Sequence, residues 1–461
     1  VTVRTHDAAT PPLSAWALWA TAGAAVSYLA LTAWIFWRSA VLQPYADMFE
    51  WIARYFAFRQ DGDWAAYLLA PHNLHRLPFT HALVAADIAW LGGTNWPLIV
   101  SGGVALAAMA AMLALEAAQA AATPLKVPAA VLAAAATLMA ANVLDAALPI
   151  NANYVHAAAF AVAAILLAEG RERTPLATRG LAALACAAAA GLGNAAGLAV
   201  WPVLAYGAAR RGDSRWLLAV AITGATFVAL YLSGQDREGA GVLASAAGRP
   251  LDAVLTGVNF LTLPWMRIAP HQAWIAGLAI AGLSALALAR RGGRGAPAHE
   301  RIACGLILFA LGAAAMAALG RTGLESPLAT PLRYAVFVAP LHAGLLILAL
   351  PYAERLLVRH RRTGEALVVA SLATILAQNL AIAPKVIWVA DVNRELVAAF
   401  RAGDRSPQVA QFVYPDLDRA QALSARLQAE GLYRDELHLK PRPPARYAAS
   451  LQRGTSDERT D

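Results

Sequence analysis

Residues 96–121 read WPLIVSGGVALAAMAAMLALEAAQAA, an apolar run long enough to cross the roughly 30 Å hydrocarbon core of a bilayer as one helix. Eight further runs qualify on the same ground: Ala15 to Trp37, Val127 to Ala147, Tyr154 to Ala168, Trp216 to Ser233, Gln272 to Ala289, Ile302 to Leu319, Tyr334 to Leu350 and Ala366 to Ala383. Across 461 residues the chain is 59% hydrophobic and 14% charged, a balance that soluble domains do not carry. The fold class is therefore all-α and polytopic, with the bundle using most of the chain as one unit. The first run is too long and too rich in Trp for a cleaved signal segment and reads as a retained anchor.

Leu181 to Tyr206 is apolar as well, but Gly191-Leu-Gly-Asn194 and Gly197 interrupt it. Glycine at that density breaks a helix, so the segment reads as a helical hairpin entering and leaving on one side, covered by other helices. The arginines supply an independent reason. They gather as Arg171, Arg173 and Arg179; as Arg210, Arg211 and Arg215; as Arg290, Arg291, Arg294 and Arg301; and as Arg355, Arg359, Arg361 and Arg362. Positive loops stay cytoplasmic, and the first two clusters flank the interrupted segment, so a single span there would put them on opposite sides. Nine spans plus the hairpin make about 11 membrane helices.

Parity then places the N-terminus in the cytoplasm. Ser39 to Asn95, Leu148 to Asn153, Gly234 to His271, Gly320 to Arg333 and the segment from Pro384 onward face outward. Residues 1–383 form the membrane domain, with 39–95 as its first outer loop. Residues 384–440 form a small helical cap packed on the outer loops, and 441–461 a polar, Pro-rich tail read as disordered. Pro78 to Leu91, short and carrying His81 and Asp87, reads as an amphipathic helix lying on the outer interface.

Cys186 and Cys304 lie inside apolar runs and read as small buried hydrophobes. The basic excess, 37 Lys plus Arg over 29 Asp plus Glu, consists almost wholly of arginines in short loops. That is topology and excludes a nucleic-acid footprint. The Ala-rich, Arg-over-Lys usage fits a GC-rich bacterial gene.

The polar stretch after the first span, residues 45–79, reads YADMFEWIARYFAFRQDGDWAAYLLAPHNLHRLPF. Helical spacing puts Asp47, Glu50 and Arg54 on one face, with Phe49, Ile52 and Phe56 elsewhere. A solvated charged face is the plain reading. Two carboxylates followed by His72-Asn73-Leu74-His75-Arg76 favour a site, since that cluster offers hydrogen-bond donors and a fixed positive charge suited to an anionic headgroup or pyrophosphate. The two histidines, three apart, with Asp47 or Glu50 also form a weaker metal reading that no recognised spacing supports.

A second outward group is Gly320-Arg321 with Arg333-Tyr334. Arg333 stands where a span begins on the outer side, against the positive-inside trend. A lone Arg there would simply snorkel, but two across one short loop read as a phosphate clamp. Arg267 and His271 end the large outer loop in a similar way. Asn142 and Asp145 approach the outer face near Asn151 and Asn153, where they can satisfy one another or backbone.

In Asp47-Met-Phe-Glu50, the His72 to Arg76 cluster, the broken helix Gly191 to Pro202 and the Arg321 and Arg333-Tyr334 pair, taken in that order, the chain resembles the polyprenyl-phosphate-dependent membrane glycosyltransferases of the GT-C class. It is more closely similar to bacterial GT-C-like hypothetical membrane proteins. The resemblance spans most of the membrane part and implies a GT-C-like bundle in a bacterial cytoplasmic (inner) membrane. It implies transfer of a sugar from a polyprenyl-phosphate donor to a glycan or lipid acceptor hydroxyl on the outer face, with inversion. Asp47 would be the general base and Glu50 would orient it or raise its pKa. His72, Asn73, His75, Arg76, Arg321, Arg333 and Tyr334 would bind the donor phosphate. A divalent metal ion is the one cofactor such an enzyme would add, but Leu74 stands where the family often has an acidic residue, and the first loop has no adjacent Asp-Asp or Asp-Glu pair. The competing class is a transporter or flippase of a lipid-linked glycan, for which discontinuous helices speak and the lack of a hydropathy repeat speaks against. A non-catalytic assembly subunit is a third class, and substitutions in the first loop would leave it working.

Overall fold

A computed structural model describes residues 11–72, 75–170, 176–233, 246–265, 273–291, 295–322 and 331–433. Asn73, Arg171, Arg173, Arg267, His271, Arg294 and the tail 441–461 lie outside the described residues. Those described are almost entirely helical, and the protein is an all-α polytopic membrane protein. Eight helices are long and apolar enough to cross a bilayer, or nine if one bent pair counts as a span.

In chain order the first crossing helix is α1 (Ala15–Ser39). The polar segment follows as α2 (Met48–Asp61), α3 (Trp64–Leu69), strands β1 (Pro71–His72) and β2 (His75–Arg76), and α4 (Pro78–Leu91). Then come α5 (Trp96–Ala120), the bent pair α6 (Lys126–Thr137) and α7 (Ala140–Ala147), α8 (Ala152–Glu169), α9 (Leu176–Gly193), α10 (Val200–Arg211) and α11 (Ser214–Leu232). The remainder is α12 (Pro250–Phe260), α13 (Ala273–Arg291), α14 (Ala298–Arg321), α15 (Ala339–Arg359), α16 (Arg361–Arg401), α17 (Pro407–Val413) and α18 (Leu417–Ala429). Large apolar side chains stand exposed on α1, α5, α11 and α13, among them Trp19, Val104, Leu218 and Leu283. A surface of that kind is stable against lipid and not against water.

Ion pairs define one end of the bundle. Glu169, at the end of α8, is gripped by Arg211 at the end of α10 and by Arg301 at the start of α14, 3.0 Å away. Arg179 of α9 donates to the Gly170 carbonyl at 2.9 Å. Arg291 of α13 meets Glu300 at 2.8 Å, and Glu365 takes Arg361 at 3.0 Å and the Ser14 amide at 2.7 Å. Arg179 and Arg211 of the first two basic clusters and Arg291 and Arg301 of the third thus reach the Glu169 neighbourhood or the α13–α14 turn beside it, and Arg361 of the fourth is joined through Glu365 to the start of the first membrane helix. We call this the arginine end.

The α9–α10 hairpin has both feet there. Its tip is a break at Gly193-Asn194, where the Asn194 side chain accepts the Ala196 amide at 3.0 Å. The chain folds back so tightly that a Cβ on Gly197 would lie 2.1 Å from the Ala190 carbonyl oxygen, so only glycine fits. The Ala195 amide at the tip donates to His75 Nδ1 at 3.3 Å, at the opposite end of the bundle.

The run Val127 to Ala147 is not one straight span: α6 and α7 meet at 55°. Polar side chains replace the lost helical bonds. Asn379 Oδ1 accepts the Ala140 amide at 2.8 Å, Tyr28 donates to the Ala135 carbonyl at 2.7 Å, and Asn142 donates to the Thr137 carbonyl at 2.9 Å. Irregular backbone at membrane depth is tolerated on this condition.

Two expectations are corrected here. Helix α4 has the anticipated bounds, but it is not a surface amphipathic helix. Its polar residues Thr80, His81 and Asp87 are buried while Trp90 is 81% exposed. Asp87 closes the turn into α5 by accepting the Thr94 and Asn95 amides at 2.9 and 2.8 Å, and His81 Nδ1 lies 3.3 Å from the Leu68 carbonyl. The boundary at Pro384 also falls inside a helix: α16 runs through it for 41 residues, about 60 Å, so the last span rises directly into the cap. The cap itself packs on the first loop as anticipated. Arg59 of α2 meets Glu430 at 2.7 Å, the Arg426 guanidinium lies 3.7 Å above the Phe56 ring, and the Tyr433 amide donates to the Gly92 carbonyl at 2.9 Å.

Candidate functional site

The candidate site lies at the end opposite Glu169, where α2, the β1–β2 hairpin, the tip of the α9–α10 hairpin and the start of α15 converge. Asp47 precedes α2 in a helical conformation and makes no side-chain cap, which leaves its carboxylate for other partners. Its Oδ2 lies 3.2 Å from Nε2 of His72. The histidine side chain is only 8% exposed and the aspartate 52% exposed, so a buried imidazole holds a carboxylate that still reaches solvent. Trp51, one turn into α2, packs edge-on against His72 with ring centroids 5.8 Å apart and sets the ring plane.

His72 and His75 are paired across the two-residue ladder, which brings them together despite their separation in sequence. His75 Nδ1 accepts the Ala195 amide, so its neutral ring carries the proton on Nε2. Burial, reinforced by His72, Arg321 and Arg333, pushes the His75 pKa down to about 4. For Asp47 the hydrogen bond from His72 outweighs desolvation, and His72, Arg333 and His75 add further attraction. Its carboxyl is therefore held below the usual carboxylate range.

Arg321 ends α14 and Arg333 opens a 3-10 turn, Leu332–Val338, that leads into α15. Both are ordered by Tyr334. The Tyr334 hydroxyl accepts from Arg321 Nε and Nη2 at 3.2 and 3.0 Å, and the two guanidinium carbons lie 5.6 and 5.8 Å from its ring centre. Tyr154, at the start of α8, backs Tyr334 edge-on at 5.3 Å. Beneath them Asp145 of α7, 1% exposed, accepts from Asn151 at 3.1 Å and attracts Arg333. It also repels charge on the buried Tyr45 hydroxyl, whose pKa burial raises first.

The structure therefore brings Asp47, His72, His75, Arg321, Arg333 and Tyr334 into one neighbourhood. Asn73 lies outside the described residues. Two residues do not join. Glu50 faces the cap: it meets Arg54 at 3.3 Å and Arg419 at 2.9 Å, and the Tyr414 hydroxyl donates to it at 3.2 Å. It neither orients Asp47 nor raises its pKa, because those cations and the helix direction turn it away. Arg76 donates to the backbone carbonyls of Leu69, Tyr231 and Ser233. Its donors tie the β-hairpin to the end of α11, and its charge is held against carbonyl oxygens.

Tyr154, Tyr45, Trp51 and the Ala195 amide escaped the reading by residue type. Tyr154 carried a faint signal, an aromatic opening a span directly after Asn151 and Asn153. Among the described residues no group of three or more His, Cys, Asp or Glu side chains is placed to hold a metal ion. No family model matches the chain, and neither a curated protein nor a solved structure matches it.

Proposed function

We propose that the protein is a membrane glycosyltransferase of GT-C type whose chemistry takes place at Asp47, on the outer face of a bacterial cytoplasmic membrane. The observation that carries the reading is a solvent-reaching carboxylate held below its usual pKa by His72 and Arg333, with Arg321, from a different element, joined to the same group through Tyr334 and His75. A base and a leaving-group clamp are the two parts that an inverting single displacement requires.

In this reading a polyprenyl-phosphate sugar lies with its phosphate toward Arg321, Arg333 and the Nε2–H of His75, and its tail between helices. The acceptor hydroxyl, on a glycan or lipid, attacks the anomeric carbon. As the new C–O bond forms, the bond to the phosphate oxygen breaks and its electron pair stays on the phosphate. Asp47 takes the hydroxyl proton. A carboxylate held below its usual pKa is a weak base, so it serves best late in the displacement, when the attacking oxygen has become acidic. The buried His72 keeps Asp47 in place. Nine traverses plus the α9–α10 hairpin, with the N-terminus cytoplasmic and the C-terminus outside, agree with every arginine contact at the Glu169 end.

The test is the lipid-linked species that builds up in cells. Asp47→Asn should accumulate the same lipid-linked sugar as loss of the protein, in the outer leaflet, with the variant present in membranes at the wild-type level. A normal glycan profile in that variant would overturn the assignment. The bent α6–α7 pair and the α9–α10 break favour a flippase as the second reading, and build-up in the inner leaflet would decide for it.

A further inference from the structure

At the arginine end a cavity opens between α8, α10, α13 and α14, far from Asp47. It is a small cleft, partly open to the surface at the helix ends. Toward the helix ends it is lined by Glu169, Arg210, Arg291 and Arg301, and one or two turns deeper by apolar Ile165, Val203 and Leu204. Glycines keep it open. A Cβ on Gly305 would meet Ile165 at 2.9 Å, and one on Gly207 would lie 2.0 Å from the Glu169 carboxylate.

The charges around it do not cancel. Glu169 is matched by both Arg211 and Arg301, and Glu300 by Arg291. Arg210 is left over: among the described residues it forms no ion pair, its Nε is buried without a hydrogen-bond partner, and its guanidinium lies 5.7 Å from the Tyr206 ring. A buried donor on a fixed cation is costly to leave unmatched. An apolar wall behind a surplus guanidinium suits a phosphate group carrying chains.

We infer that this cavity binds a phosphate-bearing anion through Arg210, with Arg291 and Arg301 alongside. An anionic lipid of the surrounding leaflet and a soluble phosphate share that chemistry. The site is separate from Asp47 and holds whether or not the proposed transfer is correct.

The experiment is thermal unfolding of the full chain in maltoside micelles as phosphatidylglycerol, phosphatidylcholine or inorganic phosphate is added. Wild type should show a saturable rise in Tm with phosphatidylglycerol and none with phosphatidylcholine. Arg210→Ala should need about tenfold more for the same shift. Arg215→Ala, at the same end but outside the cavity, should respond like wild type. A saturable response to inorganic phosphate that is lost in Arg210→Ala would support the site and assign it to a soluble anion. Equal responses to the two lipids, or equal responses of wild type and Arg210→Ala, would overturn it. If Arg210→Ala does not fold, Arg210→Lys should keep a weakened response, and native mass spectrometry of wild type should retain phosphatidylglycerol over phosphatidylcholine. Failure of either would count against the site.

Discussion

Glu169 at one end of the bundle is gripped by two arginines and is 4% exposed, whereas Asp47 at the other end pairs, among the described residues, with His72 and leaves 52% of its side chain in contact with solvent. The first arrangement matches charge inside the protein, and its role is to fasten α8, α10 and α14 together. The second leaves a carboxylate able to meet a ligand and holds its cations, Arg321 and Arg333, against aromatic rings. Glu50 shows that distance along the chain is not what separates the two kinds. It lies one helical turn from Asp47, yet it is bound by Arg54, Arg419 and Tyr414 and so resembles Glu169 in use.

The strongest way to break this comparison is to neutralise Asp47. Asp47→Asn should lower transfer by about 10²–10⁴-fold, while the melting transition moves little, since an exposed carboxylate with one partner contributes at most about 1 kcal/mol. A melting loss as large as the activity loss would make Asp47 a structural residue. Next in size is Glu169→Gln, which leaves Arg211 and Arg301 without their carboxylate. It should cost about 3–5 kcal/mol, read from denaturation in detergent, and a neutral outcome would remove the structural half of the contrast.

Acid provides the third test. His75 is held at about 4 against an ordinary 6.5, so between those values the unfolded chain binds a proton that the folded chain refuses. Its contribution to stability is complete above pH 6.5 and is lost as pH falls toward 4, by up to about 3 kcal/mol. The depressed pKa of Asp47 acts in the same direction at lower pH. Stability measured across that window should fall less steeply in His75→Gln, and an unchanged slope would show that His75 is not buried as neutral imidazole. The smallest effect belongs to Glu50→Gln. It should loosen α18 from α2 by no more than about 1 kcal/mol, seen as faster proteolysis between α16 and α17. If it abolished transfer as Asp47→Asn does, the two carboxylates would be working together.

Much of the architecture was legible because lipid partition is a local property. Eight of the nine apolar runs appear as crossing helices and the ninth, Val127 to Ala147, as the bent pair. The glycines at Gly191 to Gly197 mark a real break, and the cap packs on the first loop. The misreadings concern side chains whose partners only the folded chain brings within reach. Helix α4 carries its polar residues inward because α3 and the turn to α5 supply acceptors and donors for His81 and Asp87. Arg76 has the right charge for a phosphate, but the carbonyls at the end of α11 lie within its reach.

By itself, then, the sequence determined that this chain lives in a membrane, where its helices lie and which loop is rich in chemistry, since those properties depend on apolar length and on residue type. Tertiary structure alone decided that Asp47, and not Glu50, stands open beside His72, and that Arg321 and Arg333 meet around Tyr334 near His75. The physical reason is that a long charged side chain takes whichever counter-group comes within about 4 Å of it, and only the packing of distant helices sets which group that is.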